Sequence, residues 1–304
     1  MTHSADTMRG ITLRIASGIA FSLMTALIKL ATTLGAGLGE VIFYRAAVGA
    51  MVVLLWVMVQ EGRDGLVSRR PGRLLQRNLL GVVAMFLSFE SLVLLPLAEA
   101  TTIGFMGPVF ATLLSWLVLG ERVGWHRWAA AVMAFLGVVV VMRPGSAGHD
   151  SIAPIGVMFG LAGAMGTASV TIAVRHMAGT ENVGAIAFWF QCTAALAGLV
   201  LLPVIGTSPG WTPILILAAA GVLGGFGQIW MTASLHAAPV AALTPFDYLQ
   251  LIGAVALGWL LLGSVPTAYT WAGAALIGGS GLYTMWRERR RHVSREVPAT
   301  PPLS

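Results

Sequence analysis

Ten stretches of about 20 mainly apolar residues, the length a helix needs to cross a bilayer, follow one another along the chain. They lie near residues 11–31, 41–60, 78–95, 100–119, 127–142, 154–174, 183–203, 213–235, 239–262 and 268–286. In hydrocarbon every backbone N–H and C=O must bond within the protein, which leaves helices as the element that such runs can form. The pattern predicts an all-α membrane protein with ten transmembrane helices. Polar breaks such as "EGRDGLVSRRPGRLLQR" and "RHMAGTEN" divide the runs. Only 10% of the residues are charged, against about 25% in a soluble domain, so most of the surface must face lipid. The apolar stretch that follows residues 1–10 has no A-x-A cleavage pattern and reads as a first span, not a removed signal peptide.

The basic residues orient the bundle. With residue 1 in the cytoplasm, fifteen of the 18 Lys and Arg residues fall in cytoplasmic segments, Arg14 and Arg77 among them. Arg143 alone falls on the far side, and Lys29 and Arg45 lie inside spans. Such an excess marks the cytoplasmic face, so both termini are placed there. The expected location is a bacterial inner (cytoplasmic) membrane. The net charge of +6 is thus an orientation signal, and no nucleic-acid partner is implied. Cys192 is the single cysteine, which excludes an internal disulfide.

The chain also repeats itself. Shifting it by 143 positions pairs "PLAEATTIGFMGPVFATLLSWLVLGERVGWHRWAAAVMAFLGVVVVM" with "PVAALTPFDYLQLIGAVALGWLLLGSVPTAYTWAGAALIGGSGLYTM" without a gap. Pro96 meets Pro239, Trp116 meets Trp259 and Trp128 meets Trp271; earlier, Phe43-Tyr44 resembles Phe188-Trp189. Each copy holds five spans, an odd number, so the two copies must lie upside down relative to each other. The expected units are residues 11–142 and 154–286, followed by a basic, disordered cytoplasmic tail at 287–304. Inverted repeats suit a secondary transporter whose halves rock about a site near the membrane middle.

Over residues 11–286 the chain resembles EamA-type members of the drug/metabolite transporter superfamily. The resemblance rests on the arginine of "FYRAAVGA" in span 2 and on the block "LAEATTIGFMGPVFATLLSWLVLGERVGWHRWAAAVMAFLGVVVVMRPG". The second copy departs from it, with Ser264 of "LLGS" where the first has Glu121 of "VLGE". The resemblance implies a solute carrier, often an exporter of amino acids, metabolites or drugs. An uptake carrier or exchanger for a vitamin or nucleoside-like metabolite is the alternative. Neither reading needs a cofactor.

Four charged residues fall inside spans, Lys29, Arg45, Glu90 and Asp247, and intramembrane charge is a functional candidate by default. The first three sit at similar depth in the outer half. They could bind a carboxylate or phosphate, with Glu90 as partner or proton acceptor, or form a structural ion-pair network. Asp247 sits in the inner half with Gln191 and Gln228 at similar depth and no cation evident beside it. An apolar pocket there favours the neutral acid, which makes Asp247 a candidate for proton coupling.

Spans 4 and 9 are both expected to be interrupted, at residues 104–108 ("GFMGP") and 244–247 ("TPFD"), because proline removes a helix hydrogen bond. Tyr44, Trp189, Trp230, Phe246 and Tyr248 could line a pocket or serve as packing and interface anchors. The spacings Gly156-x₃-Gly160 and Gly221-x₃-Gly225 predict close helix contacts. Glu121 reads as a cap on the helix that follows it.

The only lysine is Lys29, so there is no lysine-bearing phosphate loop for ATP. His126, His176, His236 and His292 show no metal-ligand spacing. A lipid-modifying enzyme would need a cluster of His, Asp or Glu at one membrane face, which the sequence does not show.

Overall fold

The structure, a computed structural model, describes residues 2–119, 125–142, 153–177, 180–238 and 240–295. The expectation on Glu121 and the placement of Arg143 lie outside these residues. In chain order the helices are α1 (Thr2–Thr33), α2 (Leu38–Gln60), α3 (Pro71–Leu94), α4 (Leu97–Gly104), α5 (Gly107–Leu119) and α6 (Trp125–Met142). They continue with α7 (Pro154–Met177), α8 (Val183–Ile205), α9 (Trp211–Ala237), α10 (Val240–Leu262) and α11 (Ala268–Arg295). A short 3-10 turn, Arg63–Leu66, lies between α2 and α3. No strand occurs among the described residues.

Six helices (α1, α2, α3, α7, α8 and α9) are long and apolar enough to cross a membrane, and Leu97–Ala111, Trp128–Met142 and Leu249–Leu262 are shorter apolar segments. The outward side chains fit a lipid solvent: Leu55, Val59, Leu117, Val200, Leu215 and Trp259 are all exposed. A water-facing monomer rarely shows so much contiguous apolar surface. The protein is an all-helical membrane protein.

Local sequence sets the helix ends. Pro71 opens α3 in its first turn, where proline costs no hydrogen bond. The fourth apolar run is broken as expected: α4 ends at Gly104, Phe105 and Met106 form a turn, and α5 starts at Gly107. The break expected at residues 244–247 is not found, since α10 runs as one helix from Val240 to Leu262. Pro245 removes one hydrogen bond near the start of a 23-residue helix, a loss that neighbouring helices accommodate. Helix α11 continues to Arg295, so residues 287–295 of the expected tail are helical.

Helices pack where glycines let them approach. Helix α2 lies antiparallel on α8: a Cβ on Gly198 would stand 2.5 Å from Phe43 N, while Gly39 faces Leu202 and Gly184 faces Val57. Helices α1 and α9 are antiparallel through Phe21 on Gly227 and Met24 on Gly224. Helices α3 and α7 are antiparallel through Leu95 on Gly156 and Ser91 on Gly160, and α6 and α11 through Val141 on Gly273. Gly221 and Gly225 seat α9 on α2 through Arg45, Val48 and Val52. Both glycine spacings singled out in the sequence therefore mark close contacts. Further pairs are α1 with α10, α7 with α4 and α5, and α3 with α8.

Two buried carboxylates clasp the α2–α8 pair at its opposite ends. Glu40, in the first turn of α2, accepts from the backbone N–H groups of Thr207 (2.7 Å) and Ser208 (3.0 Å), in the loop after α8. Glu181, just before α8, accepts from the N–H groups of Arg69 (3.1 Å) and Arg70 (2.6 Å), in the loop after α2. Ser68 Oγ adds a third bond to Glu181 at 3.2 Å.

Candidate functional site

The buried charges mark the place to look. Arg45 on α2 is 3% exposed. Its Nε donates to Met24 Sδ of α1 (3.3 Å) and its Nη1 to Met85 Sδ of α3 (2.7 Å). The guanidinium carbon lies 5.3 Å from the centre of the Phe89 ring. On the α9 side Gly224 faces the guanidinium, and a Cβ there would stand 3.2 Å from Nε and 3.0 Å from Met24 Sδ. Four helices thus meet around one permanent cation, and a side chain at position 224 would crowd it.

Of the two readings of Lys29, Arg45 and Glu90, the ion-pair network is not formed among the described residues. Lys29 Nζ donates to three backbone oxygens where α3 ends, those of Leu92 (2.9 Å), Val93 (3.0 Å) and Leu95 (2.8 Å). These carbonyls have no partner within their own helix, and a cation is favourable there. Lys29 is therefore a cap on α3. Glu90, partly buried on α3, has no hydrogen-bond or ion-pair partner among the described residues.

The cation-free surroundings expected for Asp247 are not found either. Arg14 of α1 forms a two-pronged ion pair with it, Nε to Oδ1 and Nη2 to Oδ2, the latter at 2.8 Å. Counting Arg14 among the cytoplasmic residues hid this, because α1 begins at Thr2 and carries Arg14 well inside the bundle. Arg77 is the second such case. It is buried on α3, donates to Asn78 Oδ1 (3.1 Å), and lies 4.6 Å over Phe190.

Gln191 on α8 is 0% exposed, and neither of its amide atoms has a partner among the described residues. It lies over Gly49, where a Cβ would collide with Nε2. Gln228 on α9 is buried, with Thr232 Oγ1 3.5 Å from its Nε2. Trp189 is exposed and donates from Nε1 to Leu66 O (2.9 Å), anchoring the turn after α2. The Tyr248 side chain lies outside the described residues. Sequence reading passed over Glu99, buried on α4, whose Oε1 accepts from Thr270 Oγ1 of α11 at 2.7 Å.

A cavity of about 300 Å³ opens at the end of the bundle where α8 begins, lined by Glu61, Arg69, Glu181, Asn182 and His236. His236 Nδ1 lies 2.9 Å from Thr232 O, and Nε2 3.2 Å from Glu181 O. Burial raises the Glu61 carboxyl above its usual 4.5, partly offset by a bond from the Gly184 N–H and by His236. A raised acid favours folding in its protonated form, so this contribution is full below pH 4.5 and fades as pH rises through the shifted value. Glu61→Gln keeps the neutral form at every pH. The variant is expected to melt higher than wild type at pH 7 and to match it near pH 4, as thermal unfolding in detergent will show.

Among relatives, the chain is 29% identical over 275 residues to the pseudopaline exporter CntI of Pseudomonas aeruginosa, covering 88% of this chain and 93% of that one. It is 31% identical over 280 residues to a riboflavin transporter of Rhizobium johnstonii, covering 91% of each. An S-adenosylmethionine uptake transporter of Rickettsia prowazekii is 24% identical over 256 residues, with 84% of this chain and 85% of that one covered. One crystal structure shares the fold at 21% identity with a TM-score of 0.64, over 91% of this chain and 98% of the other. The model of the EamA-like transporter family matches residues 8–143 and again 154–286. The chain belongs to the EamA-like transporter family and is a membrane transporter of small solutes, not an enzyme.

Proposed function

We propose that the protein is a secondary carrier that exports a small organic solute across the inner membrane by alternating access. In this reading it is built from inverted repeats at residues 11–142 and 154–286, ten spans in all, with both termini cytoplasmic. The observation that carries it is the pattern of helix pairs. Exchange each helix for its counterpart in the other half: α1 with α7, α2 with α8, α3 with α9, α4–α5 with α10, and α6 with α11. The pair α1–α9 then becomes α7–α3, α2–α9 becomes α8–α3, and α1–α10 becomes α7 with α4–α5, all of which occur. The pairs α2–α8 and α6–α11 map onto themselves and are antiparallel, as a two-fold axis in the membrane plane requires. The match extends to side chains: Phe43 and Tyr44 meet edge to face at 68°, and Phe188 and Trp189 at 71°. Such symmetry lets one half of a carrier adopt the other's conformation in turn, opening the site to each side.

Export follows the relative named as a pseudopaline exporter. Uptake of a vitamin or nucleoside-like metabolite is the second reading, favoured by the relatives named for riboflavin and for S-adenosylmethionine uptake. With Asp247 paired to Arg14, Glu90, which has no hydrogen-bond or ion-pair partner among the described residues, is the candidate to carry a coupling proton.

The test is transport by the purified protein in proteoliposomes. Amino acids, nucleosides and vitamins are screened with and without a proton gradient. At least one solute is expected to move, and Glu90→Gln should abolish the effect of the gradient on its rate. If no solute moves and a lipid is chemically altered instead, the carrier reading falls.

A further inference from the structure

Among the buried and half-buried cations on α1, α2 and α3, Arg45 has the weakest shell of acceptors. Lys29 has three carbonyl oxygens, Arg14 a carboxylate, and Arg77 one amide oxygen, with its Nε buried and unpartnered among the described residues. Arg45 has two thioether sulfurs and the face of a ring, and no oxygen accepts from it among the described residues. Sulfur is a weak acceptor, and a guanidinium stays protonated at any pH the protein meets. A charge 97% removed from solvent with so weak a shell lacks its counter-ion. A packing role gives no reason for the charge, since a methionine would fill the same space without it.

We infer that Arg45 is the anion anchor of the solute site and that the transported solute is a small organic carboxylate with an apolar body. The inference rests on the carrier reading above. The carboxylate takes the planar fork of the guanidinium in two parallel hydrogen bonds, replacing the sulfurs of Met24 and Met85. Methionine is the side chain best able to yield in this way, being unbranched and soft. Phe89 and the two thioethers then lie against the apolar part of the solute. A phosphate dianion fits less well, because it calls for a second cation and Lys29 is already bound to the end of α3. Gly224 leaves the guanidinium its room on the α9 side.

The test uses the purified full chain in detergent, with benzoate as the probe and benzamide as its uncharged isostere. Chloride and inorganic phosphate are run at the same ionic strength. Benzoate is expected to raise the melting temperature saturably by a few degrees, and benzamide, chloride and phosphate are not. Arg45→Met should melt at or above wild type without ligand, since it removes an uncompensated charge, and should lose the benzoate response. Arg45→Lys keeps the charge without the fork and should lose at least half of it. An equal response to benzamide overturns the inference. So does a response saturated by chloride or phosphate alone, or one that persists in Arg45→Met. Should Arg45→Met fail to fold, the wild-type comparison of benzoate with benzamide and the Arg45→Lys variant still decide. Transport separates the two readings: neutral solutes carried without a benzoate response sink this inference alone. A benzoate response with no solute moved sinks the carrier reading, and with it the claim about a transported solute, leaving Arg45 as an anion-binding residue.

Discussion

Gly198→Val is expected to leave almost no monodisperse protein after extraction in mild detergent, at wild-type expression of the message. The first atom of any side chain at position 198 would stand 2.5 Å from Phe43 N, 2.7 Å from Phe43 Cα and 3.0 Å from Ile42 C. All three are backbone atoms of α2, so no rotamer change relieves the collision; the helices must separate. Over-filling a packed interior costs about 1–3 kcal/mol when side chains can shift, and more is expected where they cannot. Between membrane helices, close backbone approach is itself a main source of attraction, so separation forfeits what holds the pair together. Gly198→Ala, one methyl, should already lower the melting temperature measurably. Gly72→Ala is the control: no atom lies within 4 Å of a Cβ there, and alanine favours helix by up to about 1 kcal/mol. A Gly198→Val protein that elutes and melts like wild type would refute this account of the α2–α8 contact.

The second large effect belongs to Arg14 and Asp247. Their side chains are 15% and 29% exposed, between a surface pair worth about 0–1 kcal/mol and a buried one whose disruption costs about 3–5 kcal/mol. Arg14→Met is therefore expected to destabilise by about 1–3 kcal/mol, because it strands a carboxylate between α1 and α10. Asp247→Asn should cost a similar amount by stranding the guanidinium. The double variant Arg14→Met/Asp247→Asn should recover most of either loss, since no charge is left without a partner. The readout is a double-mutant cycle of thermal unfolding in detergent. Single losses that simply add in the double variant would show that the two residues do not act as a pair.

Much of the architecture was legible because hydrocarbon permits so few structures. The all-helical character, the break after Gly104 and the close contacts at the glycine spacings follow from residues close together in sequence. Errors arose where depth decided the outcome. The sequence reading counts Arg14 and Arg77 among the cytoplasmic charges, yet their side chains meet Asp247 and Phe190. Lys29 was legible as an intramembrane charge, but its partners are carbonyls, which every residue has and no sequence marks. Pro245 was expected to break its helix as residues 104–108 break theirs. The two prolines differ in outcome: the chain turns at Phe105 and Met106 before Pro108, while α10 runs through Pro245 unbroken. Trp189 could be read as an aromatic residue with a polar tip, but not as one whose tip holds the turn at Leu66.

The clasps of Glu40 and Glu181 limit how the halves can move. Each carboxylate stands at the head of one helix of the α2–α8 pair and grips the loop at the tail of the other. Sliding the two helices past each other by one residue, about 1.5 Å, would strain hydrogen bonds at both ends at once. The pair therefore resists shear, and its register is fixed from both ends of the bundle.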